Sequence, residues 1–154
     1  MTETTTGPLV QRWVPPVSLV LSVLGLAVSA YLTYEHFTSS TTLACPDTGA
    51  LNCLKVTTSE QSAVFGIPVA VLGLLYFVAM LALSALWRTP RRDVRLARLA
   101  CTGVGVLFVV WLVYAELFTL DAICLWCTAV HVLAIGLFAV TALGTAYADP
   151  ADLA

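Results

Sequence analysis

Two cysteine pairs are the residues of this sequence whose type and spacing could carry chemistry. Cys124 and Cys127 are separated by two residues, so this dithiol can close into a small disulfide ring and open again. If a helix begins near Asp121, which can cap it, the two sulfurs lie about one turn apart on the same face. Cys124 would then lie in the first turn, where free N–H groups and the helix dipole favour a thiolate.

A second pair, Cys45 and Cys53, encloses seven residues of a polar segment that contains an Asp-Thr-Gly turn signal. A disulfide is sterically easy across such a loop, and it is either a static staple or a redox pair. The other dithiol favours the redox interpretation, because neighbouring pairs can pass two electrons through mixed disulfides. The fifth cysteine, Cys101, lies in an apolar run and is expected to be a small buried residue.

The composition indicates that these cysteines belong to a membrane protein. The 154 residues are 60% hydrophobic and 10% charged, whereas soluble domains average ~25% charged residues. Four apolar segments reach the ~20 residues that a spanning helix needs, and they are expected at residues 17–37, 64–87, 99–120 and 123–147. The first follows Pro15 and Pro16, which suit the start of a helix. We therefore predict one all-α membrane domain over residues 1–154, with short polar termini and membrane lipid around it.

The distribution of charge predicts an orientation and excludes one class of partner. The net charge is −2 and no basic patch faces outward, so we expect no nucleic-acid partner. Five arginines lie between the second and third segments: Arg88, Arg91, Arg92, Arg95 and Arg98. The positive-inside rule places that loop and both termini in the cytoplasm, in a multi-pass protein of the cell (inner) membrane. The two cysteine pairs then lie on the extracytoplasmic side, where disulfides persist.

An ordered set of motifs resembles the vitamin K epoxide reductase family, and most closely its bacterial members, over about residues 15–147. The set comprises the four spans, the Cys-x7-Cys loop, Ser59 six residues after Cys53, a Phe-Gly-Ile-Pro run at 65–68, and Asp-x-x-Cys-x-x-Cys at the start of the last span. The resemblance implies a four-transmembrane-helix bundle around a quinone site, with a cysteine pair on an extracytoplasmic loop.

The resemblance also implies a route for electrons. Cys45 would exchange with a thioredoxin-fold partner, Cys53 would pass electrons to Cys124, and Cys127 would face a quinone of the menaquinone, ubiquinone or vitamin K type. Many bacterial members carry a thioredoxin-like domain in the same chain; here we expect the partner to be a separate DsbA-like protein. The expected activity is that of a quinone-dependent membrane thiol oxidase in disulfide-bond formation.

The candidate quinone contacts beyond Cys127 are His131, Ser59, Phe65, Val69 and Trp111. His131 follows Cys127 by four residues on the same helix face, and it stands where the animal enzymes carry a tyrosine that contacts the quinone. Ser59 corresponds to a loop serine or threonine that helps to hold the site. For Phe65 and Val69 ordinary helix packing is the first interpretation, and for Trp111 it is an aromatic belt at the membrane surface; a quinone contact is the second interpretation for all three. Glu116 lies near the outer end of the third span and either reaches the interface or handles protons.

Two further interpretations remain open from the sequence. One keeps the same family but makes reduction of quinone, or of vitamin K epoxide, the main role. The other is a metal-binding membrane protein in which the four cysteines form one tetrahedral thiolate site. Structural zinc sites usually combine two short spacings, which a seven-residue gap does not match, so no metal site is predicted.

Overall fold

The chain is almost entirely helical in a computed structural model that describes residues 6–38, 45, 48–86 and 92–147, with side chains from residue 12. The five helices are α1 (Thr6–Thr38), α2 (Cys53–Thr57), α3 (Val69–Ala85), α4 (Arg92–Tyr114) and α5 (Leu125–Ala146). A π-helical segment, Ala115–Leu120, continues α4. A short turn of 3₁₀-helix (Glu60–Ser62) leads into an antiparallel hairpin of β1 (Ala63–Val64) and β2 (Ile67–Pro68) just before α3.

Three of the described helical segments are long and apolar enough to cross a membrane: Arg12–Thr38, Arg92–Leu120 and Leu125–Ala146. This agrees with the prediction of a mostly helical membrane protein. The helix α3 is also apolar, but its 17 residues lie at the short end of the ~17–25 that a crossing requires. The fourth crossing therefore remains a prediction.

Small residues allow the helices of the bundle to approach closely. The ring of Phe77 on α3 lies against Gly25 on α1, and the Ser29 hydroxyl of α1 lies over Gly73 of α3. The helix α1 packs against both α3 and α5, and α5 packs against α4. Phe77 is completely buried at the centre of this packing. Truncation of a phenylalanine in such a position typically costs about 3–5 kcal/mol of stability.

Two helices begin earlier than the sequence predicted. The helix α1 is already formed at Thr6, so Pro15 and Pro16 lie inside it rather than at its start. Each proline removes one hydrogen bond to the carbonyl four residues earlier, and the helix continues through that loss. The helix α4 begins at Arg92 instead of residue 99, because arginine, leucine and alanine are strong helix formers and Asp93 suits a first turn. Arg88, Arg91 and both extreme termini lie outside the described residues.

The helix α3 begins later than predicted, at Val69 rather than Val64. Phe65 and Gly66 have φ values of 52° and 80°, and left-handed residues cannot continue a right-handed helix. Pro68 restricts the residue before it to an extended conformation. The chain therefore turns back on itself as a hairpin before α3, and this changes which way Phe65 points.

Candidate active site

The loop cysteines form a disulfide beside the end of the bundle. Cys45 and Cys53 are bonded to each other, with their Cα atoms 6.1 Å apart. Cys53 is the first residue of α2, and Asn52 caps that helix by accepting a hydrogen bond from the Lys55 N–H at 2.8 Å. Cys53 is buried whereas Cys45 is partly exposed. Of the two sulfurs, Cys45 is therefore the more accessible to an external protein.

The helix cysteines lie where a turn meets the start of α5. Cys124 is the N-cap of that helix, with φ −97° and ψ 117°, and its sulfur accepts a hydrogen bond from the Cys127 N–H at 3.2 Å. The expectation that Asp121 caps this helix is wrong. Asp121 has a left-handed conformation, φ 46°, and ends the π-helical segment. The helix therefore begins later than expected, at Leu125, and the cysteine itself takes the capping position.

Hydrogen bonds to its sulfur make Cys124 more acidic than an ordinary cysteine thiol. The pKa of Cys124 is lowered chiefly because the Cys127 thiol hydrogen-bonds to its sulfur, and the Cys127 and Trp126 N–H groups act in the same direction. Burial and the negative charge of Glu116 oppose this lowering. Because the thiolate is the nucleophile in disulfide exchange, Cys124 is the sulfur of this pair that is prepared to react.

A short backbone bridge ties the loop pair to the helix pair. Leu51 and Ile123 form an isolated parallel β-bridge. The Asn52 N–H donates to the Ile123 carbonyl at 3.1 Å, and the Ile123 N–H donates to the Ala50 carbonyl at 2.8 Å. These bonds hold the residues directly before Cys53 alongside the residue directly before Cys124.

The four cysteines consequently share one hydrophobic cluster at one end of the bundle. Cys53 and Cys124 are two of its buried members, with Val56 and Ala122, and Cys45 and Cys127 pack against them. The ring of Trp126 also belongs to this cluster and lies 5.0 Å from the ring of Tyr31, centroid to centroid. The structure therefore brings together the four cysteines that the sequence singled out.

A cavity of about 280 Å³ extends from this cluster into the bundle. Of the residues that the sequence proposed as quinone contacts, four line it: Ser59, Val69, Cys127 and His131. His131 is buried one turn below Cys127. The Ser59 hydroxyl donates to the Val56 carbonyl at 2.7 Å, so it also holds the turn after α2. The rest of the wall is mainly apolar and comes from α1, α3, α4 and α5.

Phe65 and Trp111, the other two proposed contacts, do not line the cavity. Phe65 lies at the tip of the hairpin and its side chain is fully exposed. Trp111 is partly exposed on α4, off the face that presents Phe108 and Leu112 to the cavity. Its ring lies 5.4 Å from the ring of Phe108. The structure therefore separates these two aromatic residues from the other proposed contacts.

A comparison with protein-family models finds a match over most of this chain. The model of the vitamin K epoxide reductase family matches residues 16–142, which is most of the chain. The chain belongs to the vitamin K epoxide reductase family. This membership implies an oxidoreductase, and at the level of the family it implies membrane redox chemistry that links quinones with disulfides.

Two hydroxyl groups line this cavity that the sequence analysis did not predict as contacts. Tyr76 and Ser29 both line the cavity, and their buried hydroxyl oxygens have no hydrogen-bond partner among the described residues. Gly105 of α4 makes room for the tyrosine, because a Cβ atom there would lie 2.8 Å from its ring and hydroxyl atoms. The available signal was a tyrosine in the middle of an apolar helix, since a phenolic hydroxyl in that position needs a partner.

Glu116 lies much closer to the chemistry than its position near the end of a span suggested. Its side chain is buried, lines the cavity, and accepts a hydrogen bond from the Cys124 backbone N–H. Its own carbonyl accepts hydrogen bonds from the Asp121 and Ala122 N–H groups, the latter at 3.1 Å. The carboxylate is thus fixed against the segment that carries Cys124.

The structure also bears on Cys101 and on the metal-binding alternative. Cys101 is partly buried and packs against a second cluster of buried hydrophobic residues, the one around Phe77, away from the other four cysteines. Cys45 and Cys53 are bonded to each other, so in the structure their sulfurs are not thiolates. In the described ranges no group of three or more His, Cys, Asp or Glu side chains is arranged to hold a metal ion.

Proposed function

We propose that this protein is a membrane thiol oxidase that takes two electrons from a thioredoxin-fold protein and delivers them to a quinone. The observation that carries the proposal is the shared cluster, in which a partly exposed disulfide lies beside a dithiol that borders an apolar cavity. The family relationship supports the same activity. The donor would be a separate DsbA-like protein, and the reaction would regenerate that protein's disulfide.

The electron route follows the order of the sulfurs. The partner's dithiol attacks the Cys45–Cys53 disulfide and leaves it reduced, and Cys53 then attacks a Cys124–Cys127 disulfide. The resulting helix dithiol is oxidised again as two electrons and two protons pass to the quinone. In the structure the loop pair is oxidised and the helix pair is reduced.

The residues around the cavity fit a quinone head group. A quinone supplies two carbonyl oxygens that accept hydrogen bonds and, on reduction, takes up two electrons and two protons. Cavities that bind small molecules are mostly apolar with a few placed polar groups. The polar groups on the wall include the His131 imidazole and the hydroxyls of Tyr76 and Ser29, which have no hydrogen-bond partner in the described part of the chain, and Cys127 lies nearer to the cysteine cluster. We propose that the hydroxyls bind and orient the ring while Cys127 presents its sulfur to it.

The proposed orientation places the cysteine cluster on the extracytoplasmic side. Arg92, Arg95 and Arg98 lie in the first two turns of α4, whereas the cluster adjoins the opposite end of that helix. Basic residues favour the cytoplasmic side. With an even number of crossings both termini would be cytoplasmic, which depends on α3 being the fourth span.

The decisive experiment supplies purified protein with a reduced thioredoxin-fold protein, with and without a ubiquinone or menaquinone analogue. We expect the partner's thiols to be oxidised catalytically only when quinone is present. Cys127→Ala should abolish this reaction, whereas Cys101→Ala, which alters a cysteine outside the cluster, should leave it intact. Oxidation without quinone, or none with it in a correctly folded protein, would refute the proposal. Turnover confined to vitamin K epoxide would favour the epoxide reductase alternative instead.

A further inference from the structure

Glu116 is a buried acidic side chain that the electron route does not use. Ionisable residues within a membrane-spanning segment are costly to bury, and they commonly mark the path of an ion or proton. Glu116 lies in the π-helical end of the Arg92–Leu120 segment and only 6% of its surface is exposed. π-Helical turns are frequent at functional sites because they change the direction of a side chain. Here the turn coincides with a carboxylate that lines the cavity.

Several contacts fix this carboxylate next to the reactive sulfurs. It accepts a hydrogen bond from the Cys124 backbone N–H, and its charge acts on both the Cys124 and Cys127 thiols. The backbone carbonyl of Glu116 is bonded to Asp121 and Ala122, which closes the turn that leads into Cys124. The carboxylate is therefore hydrogen-bonded to the backbone of the dithiol segment and lines the same cavity as Cys127.

The chemistry at this place requires a proton acceptor. When two thiols join as a disulfide they release two electrons and two protons, and the reduced quinone needs both protons. The other titratable groups that line this cavity are His36 of α1, Tyr76 of α3, and Cys127 and His131 of α5, while Glu35 of α1 is buried and Lys55 of α2 is exposed, and neither of these two lines it. His36 is exposed at the mouth, and His131 and Tyr76 lie deeper. Glu116 is the carboxylate bonded to the cysteine segment itself.

We propose that Glu116 is a catalytic base that accepts the Cys127 thiol proton and then gives it to the reduced quinone. The Cys127 thiolate formed in this way closes the bond to Cys124 as two electrons leave for the quinone. One quinone oxygen receives the proton held by Glu116, and the other takes a proton from solvent, which replaces the proton lost when Cys124 ionised. The sum is a dithiol and a quinone converted to a disulfide and a hydroquinone. This assignment rests on the proposed function.

The test measures a single turnover, in which protein with a reduced Cys124–Cys127 pair is mixed with a quinone analogue. Glu116→Gln keeps an oxygen that can accept the Cys124 N–H bond but cannot take up a proton. We expect its rate to fall roughly 100-fold or more near neutral pH, the contribution typical of general acid–base catalysis. The deficit should shrink as pH rises, because hydroxide then removes the thiol proton. Glu116→Asp should recover part of the rate.

Two controls separate this role from a structural one. Quinone binding, followed by tryptophan fluorescence, should be unchanged in Glu116→Gln, and Glu60→Gln on the exposed turn should react like the wild type. A Glu116→Gln rate equal to wild type, or a deficit that is the same at every pH, would overturn the assignment while leaving the proposed function intact. Wild-type protein that quinone does not oxidise would overturn both.

Discussion

The lowered pKa of Cys124 depends chiefly on the Cys127 thiol, and this dependence can be tested by substitution. Cys127→Ala removes the thiol that is the main cause of the lowered Cys124 pKa, whereas Cys127→Ser keeps a hydrogen-bond donor there. We expect the Cys124 thiolate to appear at higher pH in the alanine variant, and nearer its wild-type pH in the serine variant. The ultraviolet absorbance of the thiolate, measured against pH in a Cys101→Ala background, checks this. Identical titrations in both variants would contradict the assigned cause.

The hydroxyl of Tyr76 gives a second prediction. Tyr76→Phe keeps the ring and removes only the unpartnered hydroxyl, so the KM for a quinone analogue should rise. One neutral hydrogen bond contributes about 0.5–1.5 kcal/mol, which corresponds to a roughly 3- to 10-fold change. Steady-state kinetics with varied quinone concentration measure it. Tyr34→Phe removes an exposed hydroxyl and is the matched control; equal KM values in the two variants would exclude the Tyr76 contact.

The cysteines could be recognised from sequence because their spacing has a chemical meaning that does not depend on the fold. The wall of the cavity could not, because it depends on which face of each helix turns inward. Phe65 points away since the chain reverses at Gly66, and Trp111 lies beside the inward face of α4 rather than on it. Tyr76 became a candidate only when the cavity was located, and the same cavity decided between the two interpretations of Glu116, because its side chain lines the wall.

The close approach of α3 and α4 at Gly105 makes a prediction about these two helices. A Cβ atom at Gly105 would overlap the Tyr76 ring, whereas nothing lies within 4 Å of a Cβ atom at Gly103. Gly105→Ala should therefore displace the ring, raise the KM for quinone and lower the stability by about 1–3 kcal/mol, as overpacking does. Gly103→Ala should change neither. Unfolding titrations in detergent and the same kinetic assay compare the two; equal behaviour would rule out this close packing.

The existence of the helices followed from apolar composition, but their boundaries did not. Hydropathy locates the segments that lipid can solvate, and the ends of the helices depend on local backbone chemistry. The two prolines lie inside α1 rather than at its start. The helix α4 includes the arginine-rich residues before its apolar part, because arginine is a strong helix former. Cys124 became the cap of α5 because Asp121 is used to end the preceding segment.

The arrangement of all four sulfurs predicts which new bond can form between the two pairs. In a Cys45→Ala/Cys127→Ala variant, Cys53 and Cys124 lose their usual partners but remain buried members of one cluster. We expect them to form a disulfide with each other under mild oxidation, in a Cys101→Ala background. Mass spectrometry of peptides from the non-reduced protein would detect the bond.

The reciprocal variant, Cys53→Ala/Cys124→Ala, supplies the control for that experiment. It leaves Cys45 and Cys127, which only pack against the edges of the cluster. Cross-linking should be slower in this variant than in the first. If Cys53 and Cys124 failed to join while Cys45 and Cys127 did so readily, the proposed order of the sulfurs would be wrong.

The two backbone hydrogen bonds that link Asn52 and Ala50 to Ile123 bear on how the rate of exchange between the two cysteine pairs depends on protein concentration. They join parts of the chain that are far apart in sequence, so neither pair has to find the other by diffusion. Such tethering gives a high effective concentration that is independent of how many copies share a membrane. Internal exchange should therefore run equally fast in a crowded bilayer and in a dilute micelle, and only the encounters with the soluble donor and the lipid-borne acceptor should slow.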